Sequence, residues 1–194
     1  MIGKFISEAQ VKFPNFTIDQ NQEEFYRNLI MYFQKSDKSV WDLNKGLLIN
    51  GEVGCGKTMT MDICREIFKG FRIIEARHIL RDYLTTGADV INIYGRYDYK
   101  TDGKGNRQHD KPRTLCIDDL GLEEVDQKFY GNKSNVIAEL LLDRYREFVK
   151  SGMITHATTN IGASQIEQLY GIRGRDRMKE MFNLVTLPGE SKRK

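Results

Sequence analysis

The stretch "GEVGCGKT", residues 51–58, sets three glycines, a lysine and a hydroxyl in an order that could hold a polyanion. Glycine lets the main chain wrap closely round phosphate oxygens at φ values that other residues resist. The first N–H groups of a following helix then point at the anion, reinforced by the helix dipole. Gly51, Gly56, Lys57 and Thr58 fit the pattern G-x-x-x-x-G-K-[ST], with Gly54 in addition. In such a loop Lys57 reaches the β- and γ-phosphates and the Thr58 hydroxyl binds Mg2+, so ATP and Mg2+ are the expected ligands. Gly51, Glu52, Val53, Gly54, Cys55 and Gly56, with Met59 early in the helix, make up the expected nucleotide contacts. A glycine-rich turn with a chance lysine would share the letters. The apolar run before it and the amphipathic run after it supply the strand and helix that the chemistry needs.

A second group closes the run "TLCIDDLG". A carboxylate at the C-terminal end of a strand faces the ligand crevice of an α/β sheet. Asp118 suits the water shell of Mg2+, and Asp119 suits orienting or deprotonating an attacking water. A third run, "HATTN", ends in polar residues from which Asn160 could reach the γ-phosphate or its water. The plainer reading is that Thr158, Thr159 and Asn160 begin a turn. His156 in the same run reads as a core residue rather than a catalyst. Fourth, "GIRGRDRM" packs Arg173, Arg175 and Arg177 into five residues. Guanidinium groups suit phosphoryl transfer, nucleic-acid phosphates or a solvated helix start. The central expectation is a triphosphate and its cation gripped where two neighbouring strands end, one offering amides and an ammonium, the other a pair of carboxylates.

The elements that must position these groups follow from hydrophobic period. Residues 1–18 show none that is strong. Residues 21–34 read as a helix with Phe25, Leu29, Ile30 and Phe33 on one face, preceded by a capping box of Asp19 and Gln22. Strands are expected at 46–50, 71–76, 114–118 and 153–160, with 183–187 a candidate fifth. Helices are expected at 57–68, 77–86 and about 134–150, with a short one ending at Gly171. Residues 92–113 form a polar, basic excursion with turn signals at Asp102-Gly103 and Gly105-Asn106. Strands alternating with helices imply parallel pairing and a three-layer αβα sandwich.

Composition is permissive. With 194 residues, 40% apolar, the chain can bury a real core, and a net charge of +3 points to no partner by itself. Cys55, Cys64 and Cys116 have no metal-type spacing, which favours a reducing compartment over a disulfide framework. No apolar run nears the ~20 residues that span a bilayer. A cytoplasmic protein without a membrane partner is the expectation.

Taken together and in this order, the four motifs resemble the DnaC/DnaI helicase loaders and the IstB-type transposition ATPases, a branch of the AAA+ proteins. "GEVGCGKT" looks like their Walker A, "LCIDDLG" like their Walker B, "TTN" like sensor 1, and "YGIRGRDRM" like the arginine-finger box. "FPNFTIDQNQ" is similar to the family segment that lies against adenine, which would make Phe16 a nucleotide contact. The resemblance implies a P-loop NTPase of AAA+ type with a parallel five-stranded sheet and no separate lid domain. Residues 1–20 would be an N-terminal extension, 21–188 the ATPase core with its insertion at 92–113, and 189–194 a basic tail. It implies ATP hydrolysis with Lys57, Asp119 and Asn160 in cis and Arg177, or second Arg173, acting on the nucleotide of a neighbouring subunit. Thr58 and Asp118 would hold the metal, and the chain would form a homo-oligomer in its ATP state.

The partners implied are single-stranded DNA and a replicative helicase or a transposase. Tyr94, Tyr97 and Tyr99 could stack on bases, with Arg96, Lys100, Lys104 and Arg107 near the backbone; a surface insertion without that role is the alternative. The family's loaders carry a helicase-gripping N-terminal domain that about twenty residues cannot form. Two other functions remain open. One is a P-loop small-molecule kinase, with "RGRDR" as its lid and "NIYGRYDYK" in an acceptor site. The other is a nucleotide-gated binding module, since Asp119 is one methylene shorter than glutamate.

Overall fold

Apolar runs bounded by turns pair here into a single parallel sheet. The computed structural model describes residues 1–95, 97–101, 107–122, 128–129, 132–133 and 135–191, and the backbone alone for 97–101, 107–112, 128–129 and 132–133. Its strands are β1 (Gly46–Asn50), β2 (Arg72–Glu75), β3 (Tyr97–Thr101), β4 (Arg107–Pro112), β5 (Leu115–Leu120), β6 (Lys128–Phe129), β7 (Asn132–Lys133), β8 (Thr155–Thr159) and β9 (Phe182–Thr186). Its helices are α1 (Ile2–Gln10), α2 (Glu23–Phe33), α3 (Lys57–Phe68), α4 (Ala76–Thr86), α5 (Asp89–Gly95), α6 (Val136–Ser151) and α7 (Ala163–Met181).

Five strands form the parallel sheet in the order β2-β5-β8-β1-β9. Successive side chains of a strand point to opposite faces, and the two cores follow from that alternation. Leu47, Ile49 and Cys116 face a core built with α1, α2 and α3, whereas Leu48, Leu115 and Ile117 face one built with α4 to α7. The result is the expected three-layer α/β sandwich. One expectation fails: β1 and β5 are not neighbours, because β8 lies between them. Hydrophobic pattern identifies strands but carries no record of their order across a sheet.

Two termini also differ from the sequence reading. The stretch taken as an N-terminal extension contains α1, which buries Phe5 and Ala9 among Phe16, Tyr26 and Phe68. At the other end, the helix expected to stop at Gly171 only breaks there. Gly171 adopts φ 74° and ψ 166°, and the helix resumes to Met181. The basic excursion begins with α5 and continues as the antiparallel hairpin β3-β4.

Arg144 on α6 connects that excursion to the sheet. It is fully buried and donates through Nε to the Thr155 hydroxyl (2.7 Å) and through Nη1 to the Tyr94 carbonyl (2.7 Å). Its Nη2 donates to the carbonyls of Arg113 (2.8 Å) and Ile154 (3.1 Å). Burial lowers its pKa to about 9, so the guanidinium remains charged at neutral pH.

Candidate nucleotide-binding site

The loop between β1 and α3 is shaped by its own backbone. Asn50 Oδ1 accepts the Gly51 N–H at 2.7 Å as the strand ends. Gly54 and Gly56 take φ of 85° and 105°, the left-handed region that side chains resist. At Gly51 the constraint is space, since a Cβ there would lie 2.7 Å from the Leu187 carbonyl. Gly56 caps α3 without a side-chain hydrogen bond, so the first N–H groups of the helix stay available to an anion. Lys57 is buried, and its Nζ donates to the carbonyls of Gly51 and Glu52, each at 2.8 Å. The Thr60 hydroxyl donates back to the Gly56 carbonyl (2.9 Å) and is hydrogen-bonded to the Tyr26 hydroxyl (2.8 Å), which fixes the loop's exit against α2.

The acidic pair is arranged by a β-bulge. Ile117 pairs with Ala157 and Leu120 with Thr159, so Asp118 and Asp119 together oppose Thr158. In a regular strand the two carboxylates would point to opposite faces. The bulge, with Asp119 at φ 55°, re-aims the second one. Thr158 holds the arrangement: its hydroxyl donates to Asp118 Oδ1 at 2.5 Å and accepts the Asp119 N–H at 2.9 Å. The Thr58 hydroxyl donates to Asp118 Oδ2 at 2.9 Å and so joins the glycine loop to the acidic strand. Asp118 is 2% exposed, and burial pushes its carboxyl above the usual carboxylate range. The two threonine hydroxyls pull it back down, and the charge of Asp119 pushes it up again.

A hydroxyl and a carboxylate in contact, beside a loop open to phosphate, form the hard oxygen set that Mg2+ takes with few protein ligands. Asn160, at the end of β8, has a buried Oδ1 with no hydrogen-bond partner among the described residues. β8 lies between β1 and β5, so this amide stands between the glycine loop and the acidic pair.

The three arginines differ in their surroundings, and Arg175 lines a cavity shared with Asn50 and Thr159. Arg173 is exposed, and Arg175 Nη1 pairs with Glu167 Oε2 at 2.7 Å. The Arg177 guanidinium lies over the Tyr145 ring, 5.1 Å from its centroid.

Two expected contacts are corrected. Phe16 is buried edge-on against Phe5 and Tyr26, so its ring belongs to the core rather than to an adenine site. Tyr94 is likewise buried, its hydroxyl donating to Asp82 Oδ2, and cannot stack on a base. Of the other DNA candidates, Arg96 and Lys104 lie outside the described residues, as do the side chains of Tyr97, Tyr99, Lys100 and Arg107. The segment after β9 also packs against the loop and its surroundings. Gln22 Nε2 donates to the Pro188 carbonyl at 2.7 Å, and a Cβ on Gly54 would lie 2.3 Å from Ser191 Oγ. Thr158 is the site residue that sequence reasoning undervalued, and the doubled threonine before Asn160 was its one signal.

A parallel sheet that places a glycine-lysine loop two strands from an acidic pair, with a polar strand between, has the architecture of a P-loop NTPase core. Solved structures share it. The DnaC helicase loader matches with TM-score 0.59 at 16% identity over 89% of this chain and 94% of its own. DnaI matches with TM-score 0.59 at 18% identity over 91% and 88%. The replication initiator DnaA, bound to AMPPCP and single-stranded DNA, matches with TM-score 0.59 at 15% identity over 91% of this chain and 49% of its own. At these identities the likeness is one of fold. No protein-family model and no curated protein matches the sequence. Among the described residues no helix is long and apolar enough to cross a membrane.

Proposed function

We propose that the chain is a DnaC/IstB-like AAA+ ATPase that binds and hydrolyses ATP and acts on DNA as an accessory factor in replication. The observation that carries this reading is the hydroxyl bridge from Thr58 through Asp118 to Thr158 and Asp119. It couples a phosphate loop to a paired-acid strand. The DnaC, DnaI and DnaA folds support the replication class, and the DnaA structure with AMPPCP supports the nucleotide.

In this mechanism Lys57 exchanges two loop carbonyls for the β- and γ-phosphate oxygens, and the free N–H groups of α3 bind the same anion. Thr58 and Asp118 would hold Mg2+, which when bound would offset phosphate charge. Asp119 orients the attacking water and takes its proton. Asn160 directs its unpartnered amide oxygen at that water. Arg177, with Arg173 second, stabilises the transferring phosphoryl group on a neighbouring copy, so turnover is slow until a homo-oligomer forms or DNA binds.

Calorimetry with AMPPCP at millimolar Mg2+ tests the site: wild type binds, and Lys57→Ala gives no heat. Equal heat from both proteins, or none from wild type with any purine triphosphate, overturns the reading. Single-stranded DNA binding by the excursion is tested by neutralising Arg96, Lys100, Lys104 and Arg107 together, which should lower affinity and flatten the salt slope. An ATP-dependent pull-down separates the replication role, which retrieves a replicative helicase, from an IstB-type role, which retrieves a transposase. Acceleration of ADP release by an acceptor nucleotide would instead favour the kinase.

A further inference from the structure

The three arginines of the "RGRDR" run occupy different chemical settings. Arg175 is neutralised by Glu167 across the Gly171 break, at 2.7 Å. Arg173 is exposed and has no ion-pair partner among the described residues. Arg177 rests on the ring of Tyr145 from the adjoining helix α6, with its guanidinium carbon 5.1 Å from the ring centroid. Tyr145 is fixed at its tip, because its hydroxyl donates to Glu180 Oε2 at 2.7 Å. Glu180 stands three residues beyond Arg177 on α7, so α7 supplies both the cation and the anchor of the ring beneath it.

We propose that Tyr145, anchored by Glu180, is a positioning residue that presents Arg177 to the nucleotide of a neighbouring copy of this chain. The inference rests on the reading of Arg177 as a finger acting in trans. A carboxylate partner would neutralise the guanidinium and occupy its N–H edge. The ring of Tyr145 attracts the cation through its quadrupole without neutralising it. Although Arg177 also hydrogen-bonds the Tyr145 phenol, a guanidinium has five N–H donors and keeps others for phosphate oxygens. The ring also limits the rotamers of a long side chain before the partner arrives, which reduces the ordering cost of forming the joint site. The bond to Glu180 holds the Tyr145 phenol above its usual pKa, so the ring stays neutral and keeps its hydroxyl donor at physiological pH.

Subunit mixing tests this. Arg177→Ala retains its P-loop but has no finger, and Lys57→Ala retains its finger but has no working P-loop. If Arg177 acts in trans, mixing the two recovers ATPase activity that neither has alone. If mixing recovers nothing, the trans reading falls and this inference falls with it. Given recovery, the finger donor is replaced by Lys57→Ala/Tyr145→Leu. The donor's own site is already dead, so an effect of Tyr145 on turnover must pass through the donor's contact with the acceptor site. The recovered kcat should fall about two- to five-fold, the loss of one exposed cation–π contact, with KM for ATP unchanged. A Tyr145→Phe donor retains the ring and should fall less. Glu180→Gln is a second, milder variant that leaves the ring in place and loosens its anchor, so it should lower kcat in the same direction. Unchanged kcat in the Tyr145→Leu and Glu180→Gln donors overturns the proposal and leaves the trans reading standing. So does a Tyr145→Phe donor that falls as far as Tyr145→Leu.

Discussion

Thr158 bears more of the site than its size suggests, and Thr158→Val isolates that contribution. Valine fills the same volume in a fully buried position but supplies no hydroxyl. The substitution leaves Asp118 Oδ1 without its 2.5 Å donor and the Asp119 N–H without its 2.9 Å acceptor. A hydrogen bond to a charged group contributes about 1.5–3 kcal/mol, and an unpaired buried donor costs about 1–3 kcal/mol, so a loss near 3 kcal/mol is reasonable. In a chain of this length that is a fall in Tm of about 6–12 °C. Thr158→Ser retains both bonds and removes one buried methyl, for a fall of about 2–4 °C. Urea denaturation with matched m-values measures the pair. Losing the Thr158 donor also removes what lowers the Asp118 pKa most, so Mg2+-dependent AMPPCP binding should weaken more at pH 6 than at pH 8. If Thr158→Val is as stable as Thr158→Ser, the hydroxyl bridge does not hold the acidic pair and the argument built on it is wrong.

Asp119→Asn should retain AMPPCP affinity, lose about 10²-fold in hydrolysis and melt no lower than wild type, because asparagine tolerates the φ of 55° and removes a charge beside Asp118; calorimetry, turnover and a melting curve check the three. His156 gives a pH signature: burial lowers its pKa from 6.5 to about 3, so the unfolded chain takes up a proton that the native state refuses. Stability from this group is unchanged above pH 6.5, falls by about 2 kcal/mol on going to pH 5, and keeps falling towards the folded value; His156→Asn should flatten that part of the profile. Arg144→Lys leaves most of four acceptors unpaired and should cost about 3–5 kcal/mol, with faster proteolysis between residues 96 and 113 as a local readout.

The phosphate loop was legible because its chemistry is local. Glycines at positive φ, a lysine and a hydroxyl must be contiguous to work, so the eight letters "GEVGCGKT" contain nearly all of it. Asp118 was legible for a similar reason, since an apolar strand ending in a carboxylate is a pattern in one segment. Whatever depends on the order of strands was not. The hydroxyl of Thr158 gains its meaning only when β8 enters between β1 and β5, and no periodicity in 153–160 announces that. Phe16 and Tyr94 failed for the opposite reason. An aromatic residue in a plausible position looks the same in sequence whether it faces a ligand or a core, and both side chains face inward. Gly171 signalled a helix end correctly in its backbone angle, but the packing of Met178 and Met181 against the sheet restarts the helix on its far side.

The bonds from Arg144 to Tyr94 and Arg113 have an architectural consequence. The carbonyls at both ends of the intervening chain are moored to one side chain of α6, which also holds Thr155 of the sheet. Such a segment is a cassette. Substitutions between its two moorings are expected to leave the Lys57 and Asp118 hydrogen bonds in place as long as Arg144 holds both carbonyls.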